Sequence, residues 1–260
     1  MNDTFLYVFV GFVAFTLILR PLLRRHEARR ADRRGAVLSA QANAAGLRHE
    51  LVTDDRAHPG VGVGTHLFSG TTDGLEWSAA VEVTLGDDGQ PSRRSVGQRT
   101  RLFFPSLTAA PGRFVLAMSL PEGVQAPRAP DGADGGMLGR LAERAAEEVL
   151  DRYVDGYFGP EHRALVNAAG AKRPSGPSDL FVLCTDEPLA ARLLDEAGSH
   201  RLAALRETVA GLGRPLESFG LLVSPSGLVV GYQVSLHDAS VLALVAERVA
   251  RLVAHARTGS

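Results

Sequence analysis

The most regular pattern along the chain is an alternation of hydrophobic and mostly polar residues between Leu75 and Leu85. Every second residue is hydrophobic, and most residues between them are polar. A period of two puts one face of a strand in the core and the other in water, which is typical of an antiparallel sheet. Turn-forming residues follow at 86–89, so we predict a hairpin whose second strand lies near Gln98–Leu107. A further strand is predicted over Arg113–Leu120.

Helical spacing dominates the second half of the chain. Apolar positions that recur every three or four residues predict an amphipathic helix over Met137–Val154 and a short helix over Pro160–Ala169. The later elements are a strand at Leu180–Cys184, a helix that begins after Asp186 and stops at Gly198, a helix before Gly211, a hairpin of Glu217–Val223 and Leu228–Leu236, and a last helix capped by Asp238. Helices segregated from hairpin strands predict an α+β fold, with antiparallel sheet or sheets packed against amphipathic helices.

The N-terminus has a different pattern. No charge occurs over Phe5–Leu19, and Leu22 and Leu23 extend the apolar stretch past Arg20 and Pro21. A helix over these positions is about 28 Å long, which approaches the hydrocarbon thickness of a bilayer. The residues before it include an acidic side chain and no basic one, unlike a cleavable signal peptide. We therefore predict a retained transmembrane helix, with a buried core helix as the alternative.

A basic segment follows the apolar stretch and predicts how the chain is oriented. Its arginines are Arg20, Arg24, Arg25, Arg29, Arg30, Arg33 and Arg34. The positive-inside rule puts this flank in the cytoplasm, so the expected location is the inner (plasma) membrane of a bacterium, with the N-terminus outside. The same arginines favour adhesion to anionic lipid. Glu27 and Asp32 interrupt the segment and no aromatic residue accompanies it, which argues against nucleic acid as a partner.

Composition shifts divide the chain into five predicted segments. They are a transmembrane anchor at 1–23, a basic juxtamembrane helix at 24–46, a mainly β half at 47–120, a linker rich in Pro and Gly at 121–136, and an α+β half at 137–260. The net charge of −1 gives no electrostatic reason to expect nucleic acid binding. Whether 47–260 forms one domain or two is left open by the sequence.

Few residues carry candidate chemistry. Gly60–Gly64 is glycine-rich but is followed by strand-like sequence, not by the helix that a phosphate loop needs. Cys184 is the one cysteine, which excludes an internal disulfide, and its place at the end of an apolar strand favours burial. His237 and Asp238 lack companions at metal-ligand spacing, and Trp77 fits a packed core. We therefore assign no catalytic residue and expect neither a cofactor nor a metal.

One candidate binding surface remains, near the predicted hairpin. Four arginines gather there: Arg93, Arg94, Arg99 and Arg101. Such a patch is suited to an acidic partner or to lipid headgroups, and the alternative is an ordinary solvated hairpin.

Short features spread along the chain carry a family resemblance. They are Ala44 to Leu47 at the end of the basic segment, Trp77 in the first long strand, Thr100-Arg101 at the start of another, and later Phe181, Asp186, Leu193-Leu194 and Gly227-Leu228. With these features the chain resembles uncharacterised bacterial single-span membrane proteins, in which a short N-terminal helix and a basic stalk precede a cytosolic α+β domain. The resemblance implies an architecture and no activity.

From these observations we expect a single-pass, membrane-anchored binding or scaffold module without catalysis. Its expected partners are the membrane itself, anionic lipid near the stalk, and another membrane protein or a second copy of the chain. Two alternatives stay open. One is an enzyme whose site is built from long loops, such as Asp54–Gly70 or Gln125–Gly136, and the other is a protein that binds lipid surfaces.

Overall fold

The computed structural model describes residues 35–52, 65–82, 99–119, 148, 150–167, 171, 174, 180–210, 219–236 and 238–258. The strands are β1 (Arg48–Leu51), β2 (His66–Thr72), β3 (Leu75–Glu82), β4 (Arg99–Phe104), β5 (Val115–Met118), β6 (Phe181–Cys184), β7 (Phe219–Ser224) and β8 (Gly227–Tyr232). The helices are α1 (35–44), α2 (150–157), α3 (Arg163–Val166), α4 (Glu187–Leu193), α5 (Glu196–Ala210) and α6 (Ala239–Thr258), with a 3-10 turn at Pro160–His162.

These strands form one antiparallel sheet in the order β1-β2-β3-β4-β8-β7-β5-β6. The first four strands follow one another as a meander, and β4 then pairs with β8. Strand β5, although early in the chain, lies between β7 and β6. The mainly β half and the α+β half of the sequence therefore contribute to the same sheet.

Helices cover both faces of this sheet. On one face a large apolar cluster joins α1, α4, α5 and α6 to the strands, and on the other a smaller cluster joins α2 and α3. Strand β5 shows the division, because Val115 and Ala117 belong to the larger cluster while Leu116 and Met118 belong to the smaller one. The α+β class and the antiparallel sheet predicted from the sequence are confirmed.

The hairpins agree with the turn chemistry. Strands β3 and β4 pair antiparallel with Glu82 opposite Arg99, as the alternation and the turn residues predicted. Strands β7 and β8 join through a tight turn in which Ser224 faces Gly227. Gly227 has φ of 146°, a conformation that favours glycine.

The predicted end of α4 at Gly198 is wrong. Helix α4 ends at Leu193, and Gly198 lies in the first turn of α5. A Cβ atom at Gly198 would be 2.3 Å from the backbone oxygen of Leu193. The glycine therefore permits the close approach of two consecutive helices, and Asp195 begins the second by accepting a hydrogen bond from the Gly198 N–H (2.7 Å).

The predicted transmembrane span, Phe5 to Leu23, and the arginines that flank it lie outside the described residues. Within the described ranges, no helix has both the length and the apolar character needed to cross a membrane. The membrane anchor therefore stays a prediction from the sequence.

Candidate functional site

Two of the four arginines in the predicted patch lie side by side on β4. Arg99 and Arg101 point to the same side of the strand and share the carboxylate of Glu82 on β3, at 3.4 Å and 3.1 Å. Arg93 and Arg94 are outside the described residues. The described half of the patch is thus paired with an acid of its own sheet.

The same two arginines also hold the end of α2. Arg99 Nη1 donates to the backbone oxygen of Asp155 (2.9 Å), and Arg101 Nη1 donates to that of Phe158 (3.3 Å). The last carbonyl groups of a helix lack intrahelical partners and carry partial negative charge, so cations stabilise them. Arg99 and Arg101 therefore cap a helix that packs against their own strand.

Further charges surround this helix end. Arg163 on α3 pairs with the carboxylate of Asp155, and Glu161 lies between Arg101 (4.0 Å) and His162 (3.9 Å). The pKa of His162 is lowered overall, chiefly because the ring is buried. Glu161 acts in the opposite direction, and Arg101 adds to the lowering. Among the described residues of this cluster each arginine has an acidic neighbour, and their contacts fasten α2 to the sheet.

A second polar group, which the sequence did not reveal, lies at the β1 edge of the sheet. Strand β1 pairs with β2 so that His49 faces Phe68, and His66 is two residues before Phe68 on the same side. Diagonal neighbours of this kind are within reach of long side chains. Ser39 on α1 completes the group, and these three residues, Ser39, His49 and His66, are called the histidine relay below.

The relay is a continuous chain of hydrogen bonds. Ser39 Oγ is 2.8 Å from His49 Nδ1, and His49 Nε2 is 3.0 Å from His66 Nδ1. The two imidazole centroids are 5.2 Å apart and the ring planes differ by 19°. Because the centroid separation exceeds the nitrogen separation by about one ring diameter, the rings meet edge to edge with their nitrogens pointing at each other.

This geometry favours a proton over a metal ion between the two histidines. At a tetrahedral zinc ion two histidine nitrogens are each about 2.0–2.1 Å from the metal and about 3.3 Å from each other, and both point at the metal, not at each other. At 3.0 Å one nitrogen must donate and the other accept. Among the residues described, no group of three or more His, Cys, Asp or Glu side chains is placed to hold a metal.

The relay also lacks the surroundings of a nucleophilic serine. Ser39 is in the body of α1, where the neighbouring N–H groups serve the helix ladder. Acyl transfer needs N–H or side-chain donors directed at the developing oxyanion. Burial lowers the pKa of His49, and its ring packs 4.8 Å from that of Phe68, so the relay is half enclosed by the apolar core.

The other candidates from the sequence have structural roles or lie outside the described residues. Trp77 is buried, stacks 6.4 Å from Phe104 and donates from Nε1 to Thr72 Oγ1 (3.0 Å). Cys184 is fully buried in β6. Asp238 caps α6 by accepting from the Ser240 N–H (2.8 Å). Gly60–Gly64 and His237 fall outside the described ranges.

The chain matches no known protein family, no curated protein and no solved structure.

Proposed function

We propose that this chain is a membrane-tethered binding or scaffold module without catalytic activity, facing the cytoplasm of a bacterial cell. The observation that carries the proposal is the way the chain enters the fold. Ala42 on α1 is fully buried in the same apolar cluster as Leu47, and the turn that follows the helix contains Gly46, whose φ is 72°. Strand β1 begins two residues later.

A short connection between α1 and β1 suits a tether that fixes the orientation of the folded domain. The basic segment and the apolar run lie directly before α1 in the sequence. If the run spans a bilayer, the packed helix α1 transmits its position to the sheet, because a helix buried on one face cannot turn freely. A domain held in this way presents a constant surface to neighbours in the membrane.

The proposed lack of catalysis is supported by the hydrogen bonds that several of the described charged side chains make within the fold. Arg99 and Arg101 cap α2, and Asp186 accepts from the Ala110 N–H (3.1 Å) and the Leu189 N–H (3.3 Å), which fastens a loop to the start of α4. Asp195 caps α5 in the same manner. These residues have hydrogen-bonding roles that account for their positions without a substrate.

The tether is tested by placing arginines in the apolar run of the full chain. Each arginine near the middle of a span costs about 2.5–3.5 kcal/mol of insertion free energy. The variant Phe9→Arg/Phe12→Arg should lose resistance to alkaline carbonate extraction, whereas the matched control Phe9→Leu/Phe12→Leu should stay with the membrane pellet. Recovery of the unaltered chain in the soluble fraction would contradict the tether.

The binding role needs a separate measurement. Full-length protein carrying a C-terminal tag is purified from gently solubilised membranes, and its mass is measured by light scattering in detergent. A stoichiometric second protein, or a mass of two or more copies, is expected. A detergent-corrected mass of one copy with no companion would contradict the scaffold, while a C-terminal reporter active only in the periplasm would contradict the cytoplasmic orientation.

A further inference from the structure

The register of the strands defines two ends of the sheet. At one end, which we call the entry end, directly paired residues form a row across six strands: Leu51, His66, Val81, Thr100, Tyr232 and Phe219. The opposite end, which we call the turn end, carries the tight turns that join β2 to β3 at 73–74 and β7 to β8 at 225–226. The length of β8 separates the two ends by about 20 Å.

Helix α1 lies antiparallel to β1 and therefore points toward the entry end. The Leu47 N–H donates to the Ala42 carbonyl (2.8 Å), at the level of Gly70 on β2, where an added Cβ atom would be 2.8 Å from Leu47 Cδ2. One turn earlier in the helix, Ser39 Oγ is 2.8 Å from His49 Nδ1. His49 is closer to the entry end than Leu47 is, so these two contacts fix the direction of the helix along the strand.

The described part of α1 begins at Gly35, level with the entry end. From Ser39 back to Gly35 a helix advances about 6 Å. From His49 to Leu51 a strand advances about 7 Å. Gly35 is therefore at about the level of Leu51, and the chain enters the folded domain at the entry end, on the side away from the turns.

The chain that precedes Gly35 is basic up to the helix itself. Arg33 and Arg34 come directly before Gly35, and residues 24–34 connect it to the apolar run that ends at Leu23. These residues span at most about 40 Å in any conformation. Anionic headgroups attract arginine side chains within a Debye length of the surface. Under the proposed tether, Arg33 and Arg34 therefore hold the start of α1 at the lipid surface.

We propose that the domain stands on the anionic lipid surface with its entry end toward the headgroups and its turn end about 20 Å further away. The proposal rests on the proposed tether and adds an orientation that a tether alone does not fix. The reverse orientation would withdraw Arg33 and Arg34 from the headgroups and lead residues 24–34 back along the sheet. Ala42 is fully buried, so α1 cannot swing away from β1 without exposing apolar surface.

The two ends of β8 supply a matched pair of positions for a fluorescent label. Gln233 is exposed directly after Tyr232 at the entry end, and Ser226 is exposed directly before Gly227 at the turn end. The full-length variants Gln233→Cys and Ser226→Cys are reconstituted into vesicles of phosphatidylcholine and phosphatidylglycerol. A dye that does not cross the bilayer then labels only the outward-facing domains. Cys184 is fully buried, so the unaltered chain gives the background labelling.

Energy transfer from the dye to an acceptor on the lipid headgroups measures the height of each label above the bilayer. Gln233→Cys should transfer more efficiently, with a distance of closest approach about 20 Å shorter than that of Ser226→Cys. Equal distances, or a shorter distance for Ser226→Cys, in a chain that floats with the vesicles would overturn the orientation and leave the tether standing. A chain that fails to float would contradict the tether and, with it, the orientation.

A flexible insertion tests whether α1 sets the orientation. About twenty Gly and Ser residues between Arg34 and Gly35 span about 25 Å on average, which exceeds the length of the sheet along its strands. The insertion uncouples α1 from the lipid surface, so the difference in height between the two labels should shrink to a small fraction of its value in the uninterrupted chain. An undiminished difference would show that α1 does not hold the domain in place and would overturn the proposal.

Discussion

Gly220 on β7 and Gly231 on β8 face each other directly in the sheet, and the end of α2 lies against both. A Cβ atom at Gly231 would be 2.3 Å from the backbone oxygen of Tyr157, and one at Gly220 would be 2.8 Å from the ring of Phe158. Because neither glycine has a side chain, the pair forms a shallow depression in the sheet surface, and the end of α2 packs directly against it. Arg99 and Arg101 then bind the helix end from the neighbouring strand.

Replacing Gly231 by alanine should displace α2. The new methyl group meets a backbone oxygen, which cannot move without moving the helix, and overpacking of this kind costs about 1–3 kcal/mol. The free energy of unfolding in urea measures the loss. Gly35→Ala is the matched control, because nothing lies within 4 Å of its Cβ position in α1, and it should be neutral or slightly stabilising. Equal stability of the two variants would mean that α2 does not rest on β8.

Arg101 should contribute more to the attachment of α2 than its charge on a hairpin would suggest. Its side chain is 15% exposed and it bonds to both Glu82 and the Phe158 carbonyl. Arg101→Met keeps the aliphatic stem and should lose about 1.5–3 kcal/mol of unfolding free energy, the range for hydrogen bonds to charged groups. Arg113→Met, at an exposed position, should change little. Similar losses in both variants would assign the effect to net charge instead.

Local patterns predicted much of this fold. The alternation around Trp77 located β3, and the Ser224 to Gly227 turn located the β7–β8 hairpin, because both depend on residues close in sequence. The position of β5 between β6 and β7 could not be derived in this way. Antiparallel neighbours that lie far apart in sequence leave no local signal, and the apolar residues of β5, which are buried on both faces of the sheet, would suit several places in it.

The histidine relay was missed for a related reason. The histidines at 49 and 66 have no ligand spacing in the sequence, and they meet only when β1 and β2 pair in the observed register. A shift of one residue would send every side chain of β1 to the opposite face. The connecting residues, 53–64, form too long a connection for a two-residue hairpin turn to fix this register. Conversely, Arg99 and Arg101 were visible as a cluster, but their partners on α2 were not.

The hydroxyl groups of Thr100 and Tyr232, which are partners across β4 and β8, should have opposite effects on the free energy of unfolding when each is removed. Thr100 Oγ1 donates to the Val234 carbonyl and accepts from the Leu236 N–H, each at 2.8 Å. Tyr232, which faces Thr100 across β4 and β8, is fully buried, and its hydroxyl has no hydrogen-bond partner among the described residues. The same burial raises the pKa of Tyr232.

Thr100→Val should therefore cost about 1–3 kcal/mol of unfolding free energy, because a buried N–H is left unsatisfied, and Thr100→Ser should cost less. Tyr232→Phe should be neutral or stabilise by up to about 1 kcal/mol, since it removes an unpaired polar group and keeps the ring against Phe219. Chemical denaturation of the three variants tests both expectations. A clear loss in Tyr232→Phe would show that its hydroxyl has a partner in solution.

Asp195 should make stability depend on acid pH. The Gly198 N–H and then His255 lower the pKa of this carboxyl below its ordinary 3.8. A lowered value means that the folded chain binds fewer protons than the unfolded one, so the stabilisation is complete above pH 3.8 and disappears as the pH falls through the folded value. Asp195→Asn should therefore be less stable than the unaltered chain at pH 6, and the difference should shrink toward pH 2.5. Glu76→Gln, which removes an exposed carboxylate on β3, is the control for the change in net charge. A constant difference between Asp195→Asn and the unaltered chain across this range would mean that the carboxylate acts only through its shape as a helix cap.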